Sequence, residues 1–147
     1  MNQIYDLLIL LISCFLIVVS ADSHPVITLS DGTILQGVIE DSVAIFKGVR
    51  FAQPPIGNLR WSPPKPWINP DITQALDATH FGSVCTQYMW GHDDIGEQQG
   101  GHEDCLYLNI FVKLDENNYP RTDSSLPVAI WNHGGSYIEG ASSLFLY

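Results

Sequence analysis

With 147 residues, the chain has the length of one domain. Its 16 Asp and Glu against 6 Lys and Arg leave a formal net charge of −10. That sign repels phosphate backbones and anionic lipid headgroups, which argues against nucleic acid as a partner and leaves solubility as the ordinary use of the charge.

The first 21 residues read as a signal peptide. Leu7 to Val19 is a continuous apolar run, too short to span a bilayer comfortably, and Val19-Ser20-Ala21 offers small residues for cleavage after Ala21. The segment before the run has no Lys or Arg and carries Asp6, so only the amino terminus supplies positive charge. The expected location is secreted, with a signal anchor as the alternative. Cys14 leaves with the leader, so Cys85 and Cys105 remain as an even pair. In an oxidising compartment such a pair forms a disulfide that stabilises by roughly 3 kcal/mol; otherwise it is two buried thiols. No Asn-x-Ser/Thr sequon accompanies them.

From Val26 the chain is strand-like. Val26 to Leu29 and Thr33 to Ile39 flank Ser30-Asp31-Gly32, and Asp-Gly between apolar stretches is a strong hairpin signal. A third strand over Val43 to Phe46 completes a small antiparallel meander. Six of the nine prolines then fall between Gln53 and Pro70. At that density neither helix nor central strand forms, because proline fixes φ and lacks a donor. Phe51, Trp61 and Trp67 alternate with the prolines, so this stretch is expected to pack along a larger body rather than swing as a linker. Asp71 to Phe81 suggests a turn or short helix.

Gly91 to Gly101 is a polar loop between the two cysteines, with Asp93, Asp94, Glu97 and four glycines. His92, Asp93, Asp94, His102 and Glu103 gather metal-ligating types there. Their spacing matches no zinc or calcium motif, so a solvated loop and no metal are expected. Leu106 to Val112 alternates, with Leu106, Leu108, Ile110 and Val112 on one face and an apolar opposite face, as in a sheet-interior strand. Val128 to Trp131 reads as a strand buried on both faces, running into a tight turn at Gly134 and Gly135. Glycines there leave bare amides, and bare amides at a strand end suit a negative oxygen. After Gly140, Ala141 to Tyr147 carries four large apolar or aromatic residues with no cap or charge. Two interior strands thus lie uncovered, and the expectation is the amino-terminal piece of something larger.

Three stretches, in order, carry a family resemblance. Phe46-Lys-Gly-Val-Arg-Phe-Ala-Gln-Pro-Pro-Ile-Gly-Asn-Leu-Arg-Trp61, Glu103-Asp-Cys-Leu-Tyr-Leu-Asn-Ile110 and Pro127-Val-Ala-Ile-Trp-Asn-His-Gly-Gly-Ser-Tyr-Ile-Glu-Gly140 resemble runs of the type-B carboxylesterases and cholinesterases. The resemblance implies an α/β class: the amino-terminal part of an α/β-hydrolase fold, with a small antiparallel β meander leading into the central, mostly parallel sheet. Residues 22–147 would be the start of that domain. It further implies hydrolysis of small carboxylic esters through an acyl-serine, without a cofactor. By the same resemblance Cys85 and Cys105 match the family's first disulfide, and Arg60 pairs with Glu103. His133-Gly134-Gly135-Ser136 stands at the His-Gly-Gly-Gly oxyanion loop. Gly135 and Ser136 would supply the donating amides, Gly134 the turn, and His133 the positioning of the loop.

The departures are specific. Ser136 replaces a third glycine, adding a Cβ that narrows the acyl space or restricts φ. Val49-Arg50 stands where Ile-Pro is usual, and Lys113 where proline is usual. Trp90 lies too early in its loop to match the tryptophan that cradles choline, so choline specificity is not carried over. An α/β-hydrolase needs a Gly-x-Ser-x-Gly elbow, then an acid, then a histidine. Gly134-Gly-Ser-Tyr-Ile138 and Gly140-Ala-Ser-Ser-Leu144 both fail at the last glycine, and His133 precedes any nucleophile. The catalytic triad is therefore expected beyond Tyr147, with no turnover from the chain alone. His-Gly-Gly-Ser-Tyr also resembles the neuroligins, which gives the alternative of a non-catalytic adhesion protein with a protein partner.

Overall fold

A computed structural model describes residues 24–89, 98–121 and 126–143. The leader, Trp90 and His92 to Asp94 lie outside the described residues. Regular structure within them is eight strands and one 3-10 turn, Gly57–Leu59.

The Asp31-Gly32 turn does what its sequence dictates. Strands β1 (Val26–Thr28) and β2 (Ile34–Gln36) pair antiparallel, with Ile27 opposite Leu35. The turn closes through Leu29 N–H donating to the Thr33 carbonyl at 2.8 Å, and the Asp31 carboxylate accepts from Thr33 N–H at 3.0 Å. The meander is not continuous, however. At Gly37 the chain leaves this sheet, whose amide instead bonds back to the Pro25 carbonyl. Beyond it β3 (Val38–Glu40) and β4 (Val43–Arg50) form a second antiparallel pair. The expected third strand therefore extends four residues past Phe46.

The segment read as a turn or short helix supplies a strand instead. Strand β5 (Ala75–Asp77) runs parallel beside β2, giving the first sheet the order β1-β2-β5. Strand β8 (Tyr107–Lys113) pairs antiparallel with β4 and completes the second sheet, β3-β4-β8. Strands β6 (Gln87–Met89) and β7 (Gln98–Gly100) form a hairpin between the cysteines. The β4–β8 register slips between Phe46 and Val49. Gly48 sits at the slip with φ 64°, and the Asn109 side-chain carbonyl accepts its amide at 2.9 Å, replacing a ladder bond.

The core lies between the two small sheets. Leu35, Ala44, Phe46, Ala78 and Leu114 are buried, with Ile27, Leu29, Val49, Leu76, Ile110 and Val112 packed against them. Phe46 has no exposed surface; burying such a ring contributes about 1.5–3 kcal/mol.

Three further expectations are corrected. Strand β8 stands at the edge of its sheet among the described residues, with Phe111 63% exposed, so its second apolar face is uncovered. Val128 and Ile130 form no strand and are 87% and 83% exposed; a buried strand needs neighbours on both faces, and no described strand pairs with them. The proline-rich stretch packs only in part: Ala52 bridges to Pro66 and Ala52 is buried, whereas Trp61 is 97% exposed.

Candidate active site

The loop of residues 133–140 is one tight left-handed turn. The Gly135 carbonyl accepts from Ile138 N–H at 3.0 Å and Glu139 N–H at 3.1 Å. Between them Ser136 and Tyr137 have φ of 55° and 64°. Each non-glycine residue held there costs roughly 1–2 kcal/mol. The Cβ of Ser136 thus acts on φ, one of the two effects expected of it. Gly135, at φ 125°, admits no side chain, since a Cβ would run into the Glu139 carbonyl.

This geometry decides which amides are used. The turn's own bonds consume the N–H groups of Ile138 and Glu139, as the later amides of any helical turn are consumed. Among the described residues, neither Gly135 N–H nor Ser136 N–H donates to a main-chain carbonyl. Successive amides in such a turn form an anion-accepting concavity. His133 Nδ1 lies 2.8 Å from the Gly134 carbonyl, a bond the ring makes when Nδ1 carries the proton.

Two side chains brace the loop from elsewhere in the fold. Gln87 bonds the Gly140 backbone on both sides: its carbonyl accepts Gly140 N–H at 2.6 Å, and its amide donates to the Gly140 carbonyl at 2.9 Å. Asn109, on β8, donates to the Ser142 hydroxyl at 3.0 Å while holding the bulge at Gly48. Neither contact is readable from sequence, because each spans more than thirty positions.

Cys85 and Cys105 are joined, with an S–S distance of 2.01 Å across 20 residues. Cys85 also bridges to His102, whose amide donates to the Val84 carbonyl at 2.8 Å. Arg60 Nε meets Glu103 at 2.6 Å, but the two side chains are 51% and 45% exposed. The pair is therefore half in water, and its worth falls to about 0–1 kcal/mol rather than the several kcal/mol a buried pair would carry.

The stronger ion pair is one the sequence did not disclose. Arg50, on β4, holds Asp104 through two bonds of 2.6 and 2.9 Å and also donates to the Tyr107 hydroxyl. The guanidinium lies 4.6 Å from the Tyr107 ring centre. The hydrogen bonds from Arg50 hold the Asp104 carboxyl below its ordinary value, and those to Asp104 raise Arg50. Burial pushes the Tyr107 phenol up. The available signal was the arginine standing in the usual proline place. Glu103 and Asp104 each take an arginine, so the strand entering β8 is pinned immediately before Cys105. Among the described residues, no group of three or more His, Cys, Asp or Glu could hold a metal ion.

The Carboxylesterase family profile matches residues 23–147. The chain belongs to that family. It is 43% identical over 102 residues to a carboxylic ester hydrolase of Bombus ignitus, covering 67% of this chain and 17% of that protein. It is 36% identical over 131 residues to the para-nitrobenzyl esterase of Bacillus subtilis, covering 85% and 24%. Among solved structures, a PNB esterase superposes with a TM-score of 0.58 at 32% identity, over 83% of this chain and 22% of that one. A carboxylesterase of Geobacillus stearothermophilus gives 0.62 at 30% identity, over 80% and 21%. The family member described here therefore has the amino-terminal part of an α/β-hydrolase fold, and spans less than a quarter of the length of these relatives.

Proposed function

We propose that this chain contributes the scaffold and two oxyanion-hole amides, those of Gly135 and Ser136, to a secreted serine carboxylesterase. The enzyme hydrolyses small carboxylic esters through an acyl-serine, with nucleophile, acid and base beyond Tyr147. The reading is carried by the left-handed turn at 135–139, in which those two amides have no main-chain acceptor among the described residues. Donors fixed in this way stabilise the charge that develops on the tetrahedral intermediate, and losing one costs on the order of 10²–10³ in kcat. The Cys85–Cys105 bond suits an oxidising compartment and supports secretion; sequencing the amino terminus of secreted material should find cleavage after Ala21.

The test is covalent labelling of the complete protein by a serine-directed phosphonate. Stoichiometric label, with kcat lowered in Gly135→Ala because the added Cβ meets the Glu139 carbonyl and turns the amide away, supports the enzyme. Absence of label moves the reading to a non-catalytic, neuroligin-like adhesion protein. That second reading is favoured by Tyr137, which projects fully into solvent beside the strained Ser136. Residues 22–147 alone should hydrolyse no simple aryl ester above background.

A further inference from the structure

We propose that Gln87 is a positioning residue for the oxyanion loop, transmitting the rigidity of the disulfide hairpin to residues 133–140. The proposal rests on the reading of Gly135 and Ser136 given above. Gln87 is 8% exposed, and its side-chain amide is nearly saturated. One N–H of Nε2 faces the Cys85 carbonyl at 3.0 Å, and the other the Gly140 carbonyl at 2.9 Å. Its oxygen accepts Gly140 N–H at 2.6 Å. A buried primary amide used so fully has one orientation, because rotating it would set oxygen against two carbonyls.

The consequence is a continuous path. Cys85 is fixed covalently to Cys105, its carbonyl fixes Gln87, and Gln87 fixes both backbone polar groups of Gly140. Gly140 immediately follows the turn whose bonds converge on the Gly135 carbonyl. That turn spends energy on two consecutive left-handed residues and gains two hydrogen bonds of its own among the described residues. It therefore needs a restraint from outside, and Gln87 holds its carboxyl end. Without that restraint Ser136 and Tyr137 would relax toward negative φ, and the two amides would lose their common direction.

The test uses amide hydrogen exchange on the disulfide-bonded chain, followed over residues 133–140 with β4 and β8 as internal reference. Gln87→Met keeps the bulk and removes all three bonds; exchange of the hydrogen-bonded loop amides, those of Ile138, Glu139 and Gly140, should quicken about tenfold or more, with β4 and β8 unchanged. Gln87→Glu sharpens the result and covers the case in which the methionine variant does not fold. Its ionised carboxylate keeps the acceptor for Gly140 N–H but turns an anionic oxygen toward two carbonyls. Protonation restores a donor, so protection of the loop should be lost while the carboxylate is ionised and partly recovered as the pH falls through its pKa, which burial and the two facing carbonyls raise above the ordinary glutamate value. A purely structural contribution from side-chain volume would show no such pH recovery. In the complete esterase, Gln87→Met should lower kcat with little change in KM. Unchanged loop protection in a folded Gln87→Met, or Gln87→Glu protection that ignores pH, overturns the proposal. Quickened exchange in a protein that takes no phosphonate label would keep the clamp and discard the oxyanion reading.

Discussion

The two-sheet core and the loop at 126–143 are held by opposite means. In the core, apolar side chains from β1, β2, β4 and β8 bury one another, and the strands follow local alternation and a turn of strong propensity. In the loop the apolar residues are outside: Val128, Ile130, Tyr137 and Ile138 are all exposed. Polar struts from Gln87 and Asn109 set its shape instead. Burial can fix a fold with hydrophobic residues of about the right size, whereas the site depends on particular hydrogen bonds in particular directions. Damage to one region should therefore register as lost stability, and damage to the other as lost geometry.

The sharpest break is Phe46→Ala. It empties the centre of the core and should lower unfolding free energy by about 3–5 kcal/mol in denaturant titration. Replacing Cys85 and Cys105 by serine should cost roughly 3 kcal/mol by the same measurement, and also quicken exchange over 133–140; an unchanged loop would cut the link between hairpin and site. Next comes acid. Because Asp104 titrates below its ordinary value in the folded chain, the stability it supplies is fully present above the unfolded carboxylate range near pH 4 and is lost as pH falls through the folded value. Arg50→Met should flatten that limb of a stability–pH curve. Ser136→Gly should relieve the left-handed strain and stabilise by about 1 kcal/mol, with the turn's hydrogen bonds intact. Arg60→Ala, acting on a half-exposed pair, should change stability by at most about 1 kcal/mol.

The same division explains what the sequence disclosed. The Asp31-Gly32 hairpin, the alternation of residues 106–112 and the proline-dense stretch were legible because each rests on chemistry within a few residues. Strand β5 was not: three residues become a strand only by lying beside β2, 41 positions away. The break of the meander at Gly37 is likewise decided by which sheet receives the next strand. Val128 to Ile130 has the composition of an interior strand, but strand formation also requires a neighbour to accept its ladder. Within the site, His133, Gly134, Gly135 and Ser136 stood out as a motif. Gln87 and the Arg50–Asp104 pair did not, since a side-chain amide or ion pair across dozens of residues leaves no periodic trace.

The most direct test is the structure of the complete protein with a phosphonate bound to its serine. The account predicts a phosphoryl oxygen about 2.7–3.1 Å from both Gly135 N and Ser136 N, with Gln87 still bonded to Gly140. An oxygen held by other donors, or those two amides turned onto main-chain carbonyls, would contradict it.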